Sequence, residues 1–153
     1  MKGLFRALNY LHDKKNIIHR DIKPDNIVMG SSRDLTKVKL VDFGLAVKDS
    51  LETIMDFAKC GTFLYKPPEQ ITNVFDYAKK ADIWASGIIM FYLLTGRHPI
   101  WHEGINKIQM EQLMKTWDGK FEYPKSMSTL AKHLISNLCA KKKSARYRPA
   151  NAL

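Results

Sequence analysis

The sequence predicts a mainly helical α+β fold, and three patterns carry that prediction. Apolar residues recur at helical spacing near the start, two short apolar runs flank a polar turn soon after, and from Asp82 onward the periodicity is helical only. The chain, residues 1–153, reads as one domain long enough to bury a real core. No internal repeat or low-complexity tract interrupts it.

Taken in order, Leu4, Leu8 and Leu11, with Phe5 and Ala7 beside them, mark a helix over residues 2–12. It starts without an N-cap residue ahead of it, so the expectation is that something precedes Met1. Ile27-Val28-Met29 and Lys37 to Val41 read as two strands, joined across Gly30 to Asp34 into a small hairpin. At Asp42-Phe43-Gly44 the second strand closes, and the glycine is expected to supply the sharp change of direction. Residues 45–66 hold no lasting period and lead into Lys66-Pro67-Pro68-Glu69, where two prolines stop regular structure. A loop of that length in a compact domain is functional or disordered. From Asp82, as helix start, to Gly96, as its end, runs a segment apolar on every face, the mark of a central helix. Helices near Ile105 to Thr116 and Ser128 to Ala140 follow, and Pro149 to Leu153 read as the first turn of another.

Composition excludes several classes. Hydrophobic residues at 45% and charged residues at 26% are ordinary for a soluble globular protein. Cys60 and Cys139 stand far apart without CxxC spacing, which argues against a disulfide framework or a zinc site and for a reducing compartment. No secretory apolar region follows Met1-Lys2, and the longest apolar run, Ile83 to Leu94, is too short to span a bilayer. The expected location is intracellular, the cytoplasm first, with the nucleus open as well. A net charge of +10, densest at Lys141, Lys142, Lys143, Arg146 and Arg148, raises nucleic acid as a partner. Yet no zinc-finger spacing, aromatic RNA-binding pattern or basic heptad accompanies it, so a solvated basic loop is expected and no specific nucleic acid.

The chemistry-bearing stretch is His19-Arg20-Asp21-Ile22-Lys23-Pro24-Asp25-Asn26, set between the apolar pair Ile17-Ile18 and the triplet Ile27-Val28-Met29. A polar loop clamped at both ends by core residues is where chemistry tends to sit.

With Asp42-Phe43-Gly44, Glu69, the Asp82-x-Trp84-x-x-Gly87 run, Gly96-Arg97-His98-Pro99 and Arg146 following in order, the chain resembles the C-terminal lobe of the eukaryotic protein kinase family. Lys23 and the Gly61-Thr62 pair before Tyr65 are similar to the serine/threonine type. Cys60-Gly61-Thr62 and the helices after residue 104 are most similar to the calcium/calmodulin-dependent group.

The resemblance implies phosphoryl transfer from ATP to Ser or Thr hydroxyls of protein substrates, with Mg2+. Asp21 would accept the substrate proton, Lys23 would lie along the transferred phosphoryl group, and Asn26 and Asp42 would hold magnesium. Val28 would lie beneath the adenine ring. Asp25 belongs to the same ATP-facing set and also stands where some kinases read a basic side chain. Arg20 would pair with a phosphate on the activation segment, Ser50 and Thr53 being the acceptors. Thr62, in the substrate loop, would bond Asp21 and Lys23. His19 and Phe43 would align the two loops by packing, Asp82 would open the central helix, and Glu69 with Arg146 would form a buried ion pair.

Two departures stand out. Pro67-Pro68-Glu69 replaces the usual Ala-Pro-Glu, and the usual Asp-Pro pair before Arg146 is absent. A third concerns the other half of the site. No Gly-x-Gly-x-x-Gly strand-turn, strand lysine or helix glutamate of an N-terminal lobe occurs in these residues. The expectation is an N-lobe in cis before Met1, the chain being a fragment of a longer kinase; otherwise Met1 is a true start and the product does not suffice for catalysis. On the first reading it belongs to an active enzyme while being inactive alone. On the second it is a truncated C-lobe acting as a docking module.

Overall fold

Helix α3, Ala78–Thr95, is the axis on which the computed structural model is built. Described residues are 1–30, 34, 36–49, 60–71 and 78–153. Ahead of α3 come α1 (Lys2–Asn9), strands β1 (Ile17–Ile18), β2 (Ile27–Met29), β3 (Val38–Leu40) and β4 (Val47–Lys48), and the short α2 (Pro68–Ile71). Behind it come α4 (Lys107–Thr116) and α5 (Thr129–Leu138), then two 3-10 turns, Lys143–Ala145 and Pro149–Ala152.

Two clusters of buried side chains meet on α3. Leu4, Phe5 and Leu8 of α1 pack with Ile22 against Ile83, Ala85 and Ile89. Trp84 and Ile88 pack against Met110 and Met114 of α4 and Cys139 at the end of α5. Burying such side chains contributes roughly 1.5–3 kcal/mol apiece before entropy is counted. Gly87 lets α5 approach closely: a Cβ there would meet the Cys139 sulfur and lie 2.9 Å from the Leu138 Cβ. The all-round burial expected of α3 fails in its last turn, where Tyr92, Leu93 and Leu94 are exposed.

The helix also begins earlier than expected. Ala78 to Ala81 add a turn of good helix formers ahead of Asp82, so Asp82 lies inside the helix and is not its cap. Gly96, in the left-handed region at φ 71°, ends it as expected. The N-terminal helix stops as an α-helix at Asn9 and continues as a π-helical turn, Tyr10–Lys14.

The expected hairpin is present, with Ile27 opposite Leu40, Val28 opposite Lys39 and Met29 opposite Val38. A second antiparallel pair arises where residues 45–66 were expected to be irregular: Ile17 faces Lys48 and Ile18 faces Val47. The turn at the end of β3 is made by Asp42 at φ 58° and not by Gly44; aspartate tolerates the left-handed region better than most side chains. Among the described residues no helix is long and apolar enough to cross a membrane.

Candidate active site

The polar loop of residues 19–26 is hung from the central helix. Asp82, 1% exposed, accepts from the backbone N–H of His19 (2.9 Å) and of Arg20 (2.9 Å), and its Oδ2 lies 2.8 Å from the His12 Nε2. The π-helical turn carries His12 to this point. With both amides tied to one carboxylate, Arg20 is held at φ 68°, a conformation that costs a non-glycine residue about 1–3 kcal/mol. His19 then bridges two loops: its Nε2 donates to the Val41 carbonyl (3.0 Å), while its Nδ1 faces the Asp21 N–H at 3.4 Å. That arrangement selects the neutral Nε2–H tautomer. The His19 ring packs on Phe43 with centroids 5.0 Å apart.

Asp21, Lys23, Asn26 and Thr62 come together as one hydrogen-bonded group. Asp21 Oδ1 accepts from the Thr62 N–H (2.8 Å) and the Thr62 hydroxyl (2.7 Å). Its Oδ2 lies 2.8 Å from the Lys23 ammonium and accepts from the Asn26 amide at 3.2 Å. Lys23 also donates to the Thr62 oxygen (3.1 Å), and Asn26 to the Asp21 carbonyl (2.9 Å). Burial pushes the Asp21 carboxyl upward, but the bonds from Lys23 and Thr62 outweigh it and hold it below its ordinary 3.8. Lys23 is raised above its ordinary value, first by its bond to Asp21, against burial, and further by Asp25 and Asp42. An ionised carboxylate beside a fixed ammonium can orient a hydroxyl and accept its proton, with the cation facing the anionic group under transfer.

The Thr62 segment reaches this group because Gly61 is a glycine. It sits at φ 84°, and a Cβ would lie 2.5 Å from the Arg20 carbonyl oxygen. Two chain segments thus touch backbone to backbone where Thr62 bonds Asp21.

Asp42 stands apart, on the exposed side of the cleft, its carboxylate accepting from the Gly44 N–H at 3.2 Å. Val28 and Met29 of β2, and Val41, Phe43 and Leu45 on either side of Asp42 in the chain, are exposed apolar side chains. Asp25 is exposed nearby. Among the described residues no group of three or more His, Cys, Asp or Glu is arranged to hold a metal. Asn26 and Asp42 nevertheless suit magnesium, which takes hard oxygen donors and needs few from protein when phosphate and water supply the rest. The Arg20 Nε donates to the Leu45 carbonyl at 2.5 Å. Ser50 and Thr53, the expected phosphate acceptors, lie outside the described residues.

Below the site, Arg146 and Glu69 pair through two bonds, Nη1 to Oε1 at 2.6 Å and Nη2 to Oε2 at 3.0 Å. They are 2% and 8% exposed. Arg146 further donates to the carbonyls of Ala140 (3.0 Å) and Lys80 (3.0 Å), and its guanidinium lies 5.1 Å from the Trp84 ring centroid. Sequence reasoning left His12 and the ring of His98 without a role. His12 lies 70 residues from Asp82, and nothing in local periodicity links them.

All 153 residues match the model of the protein kinase domain family, and the chain belongs to it. It is 42% identical over 124 residues to a probable myosin light chain kinase of Dictyostelium discoideum, covering 81% of this chain and 24% of that protein. Similarity to myosin light chain kinase A of the same organism is 34% identity, over 100% of this chain and 51% of the relative. To the alpha chain of calcium/calmodulin-dependent protein kinase type II of Drosophila melanogaster it is 32% identical, over 100% of this chain and 28% of the relative. The chain therefore spans about half the length, or less, of these curated relatives. Their names agree with the resemblance to the calcium/calmodulin-dependent group.

Proposed function

We propose that this chain supplies the substrate-binding and proton-accepting half of a protein serine/threonine kinase that transfers the γ-phosphoryl group of ATP to Ser or Thr hydroxyls. The observation that carries the reading is the Asp21–Lys23–Asn26–Thr62 group, in which an ionised carboxylate, a cation and an amide converge on one point beside a substrate loop. Asp21 orients and deprotonates the acceptor hydroxyl, and Lys23 faces the phosphoryl oxygens. Asn26 and Asp42 hold magnesium, which when bound neutralises phosphate charge, and Val28 supports the adenine. The exposed apolar side chains of β2 and on either side of Asp42 suit contact with an N-lobe, which would bring the glycine-rich cover and the phosphate-binding lysine. The lobe works inside the cell, on protein substrates, and is inactive by itself.

The test supplies an N-lobe, covalently or in trans, together with ATP, Mg2+ and a Ser/Thr peptide. Phosphorylation should appear and should fall about 10²–10⁴-fold in Asp21→Asn, the worth of a positioned base. Silence in the wild type with retained binding of a protein partner would overturn the enzyme reading in favour of a docking module.

A further inference from the structure

His98 lies in the turn between α3 and α4, outside the group that does chemistry, yet three bonds converge on its ring. Its Nε2 donates to the Leu64 carbonyl at 2.9 Å, and its Nδ1 accepts from the N–H of Ile100 (3.1 Å) and of Trp101 (2.7 Å). Leu64 belongs to the 3-10 turn Phe63–Tyr65, which follows directly on Thr62. The ring therefore ties the α3–α4 turn to the segment that bonds Asp21.

We infer that His98 is a positioning residue for substrate: the neutral imidazole couples the α3–α4 turn to the substrate loop, and protonation uncouples the two by freeing the turn from the ring. The inference rests on the kinase reading for its consequence, and on bond geometry for its physics. An imidazolium carries a proton on both nitrogens, so it would set a donor against the two N–H groups of Ile100 and Trp101. Those bonds fail together while the Nε2–H bond to Leu64 persists, so the ring stays with the substrate loop and the turn loses its hold on it. Burial holds the ring below its ordinary 6.5, with the Leu64 carbonyl acting the other way. The protonated form is thus scarce near neutral pH and grows as pH falls below 6.5. Other titratable groups share the cavity of about 530 Å³ beside the ring: Tyr65 from the substrate loop, Tyr92 from the end of α3, and Arg97, His102 and Glu103 from the turn itself. Lys107 of α4 lies over the neighbouring Phe63 ring.

Substitution separates a local role from a positioning one. In His98→Asn the amide oxygen replaces the Nδ1 acceptor, but nothing replaces the donor to Leu64. Amide exchange on the 153-residue chain should then stay slow at Ile100 and Trp101, while residues 62–66 exchange on the order of tenfold faster, one hydrogen bond's worth. In the wild type, once the intrinsic base-catalysed rate is divided out, Ile100 and Trp101 should lose protection as pH falls below 6.5, and the Asn variant should show no such step. Imidazole nitrogen NMR on the wild type needs no variant and should report the Nε2–H tautomer titrating below 6.5. With an N-lobe supplied, His98→Asn should raise the peptide KM on the order of tenfold and leave kcat nearly unchanged. An Nδ1–H tautomer, a midpoint at or above 6.5, or unchanged exchange of residues 62–66 in His98→Asn would overturn the inference. Loss of phosphorylation in the wild type, with the exchange and NMR results as expected, would overturn the kinase reading alone.

Discussion

Removing Arg146 should be among the most damaging single changes this chain can undergo. Arg146→Met takes the guanidinium away from the Glu69 carboxylate in a site where both partners are nearly solvent-free. Breaking a buried pair by deleting one partner costs about 3–5 kcal/mol, because the remaining buried charge loses its counter-ion. The upper part of that range applies here. The substitution also removes donors from the carbonyls of Ala140 and Lys80 and a cation from the face of Trp84. For a domain of this size each kcal/mol shifts Tm by about 2–4 °C, so a fall of about 8–20 °C is expected. Urea unfolding followed by tryptophan fluorescence measures the free energy. The decisive comparison is a double-mutant cycle with Glu69→Met, which replaces the whole pair by apolar groups. The double variant should be clearly more stable than the sum of the single losses, since no charge is left stranded. If Arg146→Met costs under about 1 kcal/mol, or if the two losses simply add, the pair does not brace the fold and the argument fails.

Three further outcomes follow from the geometry. Asp82→Asn should cost about 3 kcal/mol or more, from weakened bonds to a buried charge, and should speed amide exchange at His19 and Arg20; exchange unchanged at those two residues would refute the anchoring role. Gly87→Ala should destabilise by about 1–3 kcal/mol by overpacking against α5, and adding Cys139→Ala, which clears the space, should restore part of the loss in thermal melts; no recovery would mean the crowding lies elsewhere. Lys23→Met should raise the Asp21 pKa, read by carboxyl carbon NMR, with an unmoved midpoint counting against the ion pair. In the wild type the depressed Asp21 pKa contributes stability above pH 3.8 that disappears as pH falls through the lowered value, and the variant should show a smaller acid-range slope.

Much of the site was legible because residue type and spacing specify it. Asp21, Lys23 and Asn26 fall within six residues, and their chemistry is written in the side chains. The central helix was legible from its unbroken apolar run, and the β2–β3 hairpin from two apolar runs around a polar turn. What escaped was set by contacts distant in sequence or by elements too short to show a period. Strands β1 and β4 have two residues each, too few for alternation to register. Asp82 looked like a cap because it precedes the apolar run; only the fold reveals that Ala78 to Ala81 are already helical and that its carboxylate turns toward the loop. The left-handed turn at Asp42 was assigned to Gly44, the statistically favoured residue type, whereas the chain bends two residues earlier on strain-tolerant aspartate. His12 and His98 offered no local signal, since the Asp82 partner of His12 and the Leu64 partner of His98 lie far along the chain.

The carboxylate of Asp82 has a consequence for how the molecule fails under heat. It joins the first helical segment, the loop of residues 19–26 and the central helix through His12, His19 and Arg20, with no slack between them. Loops usually melt ahead of the core beneath them. This one cannot let go without also exposing a charge inside α3, so its melting is fused to that of the helix. Loss of order at residues 19–26 and global unfolding should therefore coincide, and a stabilised core would carry the melting temperature of the loop upward with it.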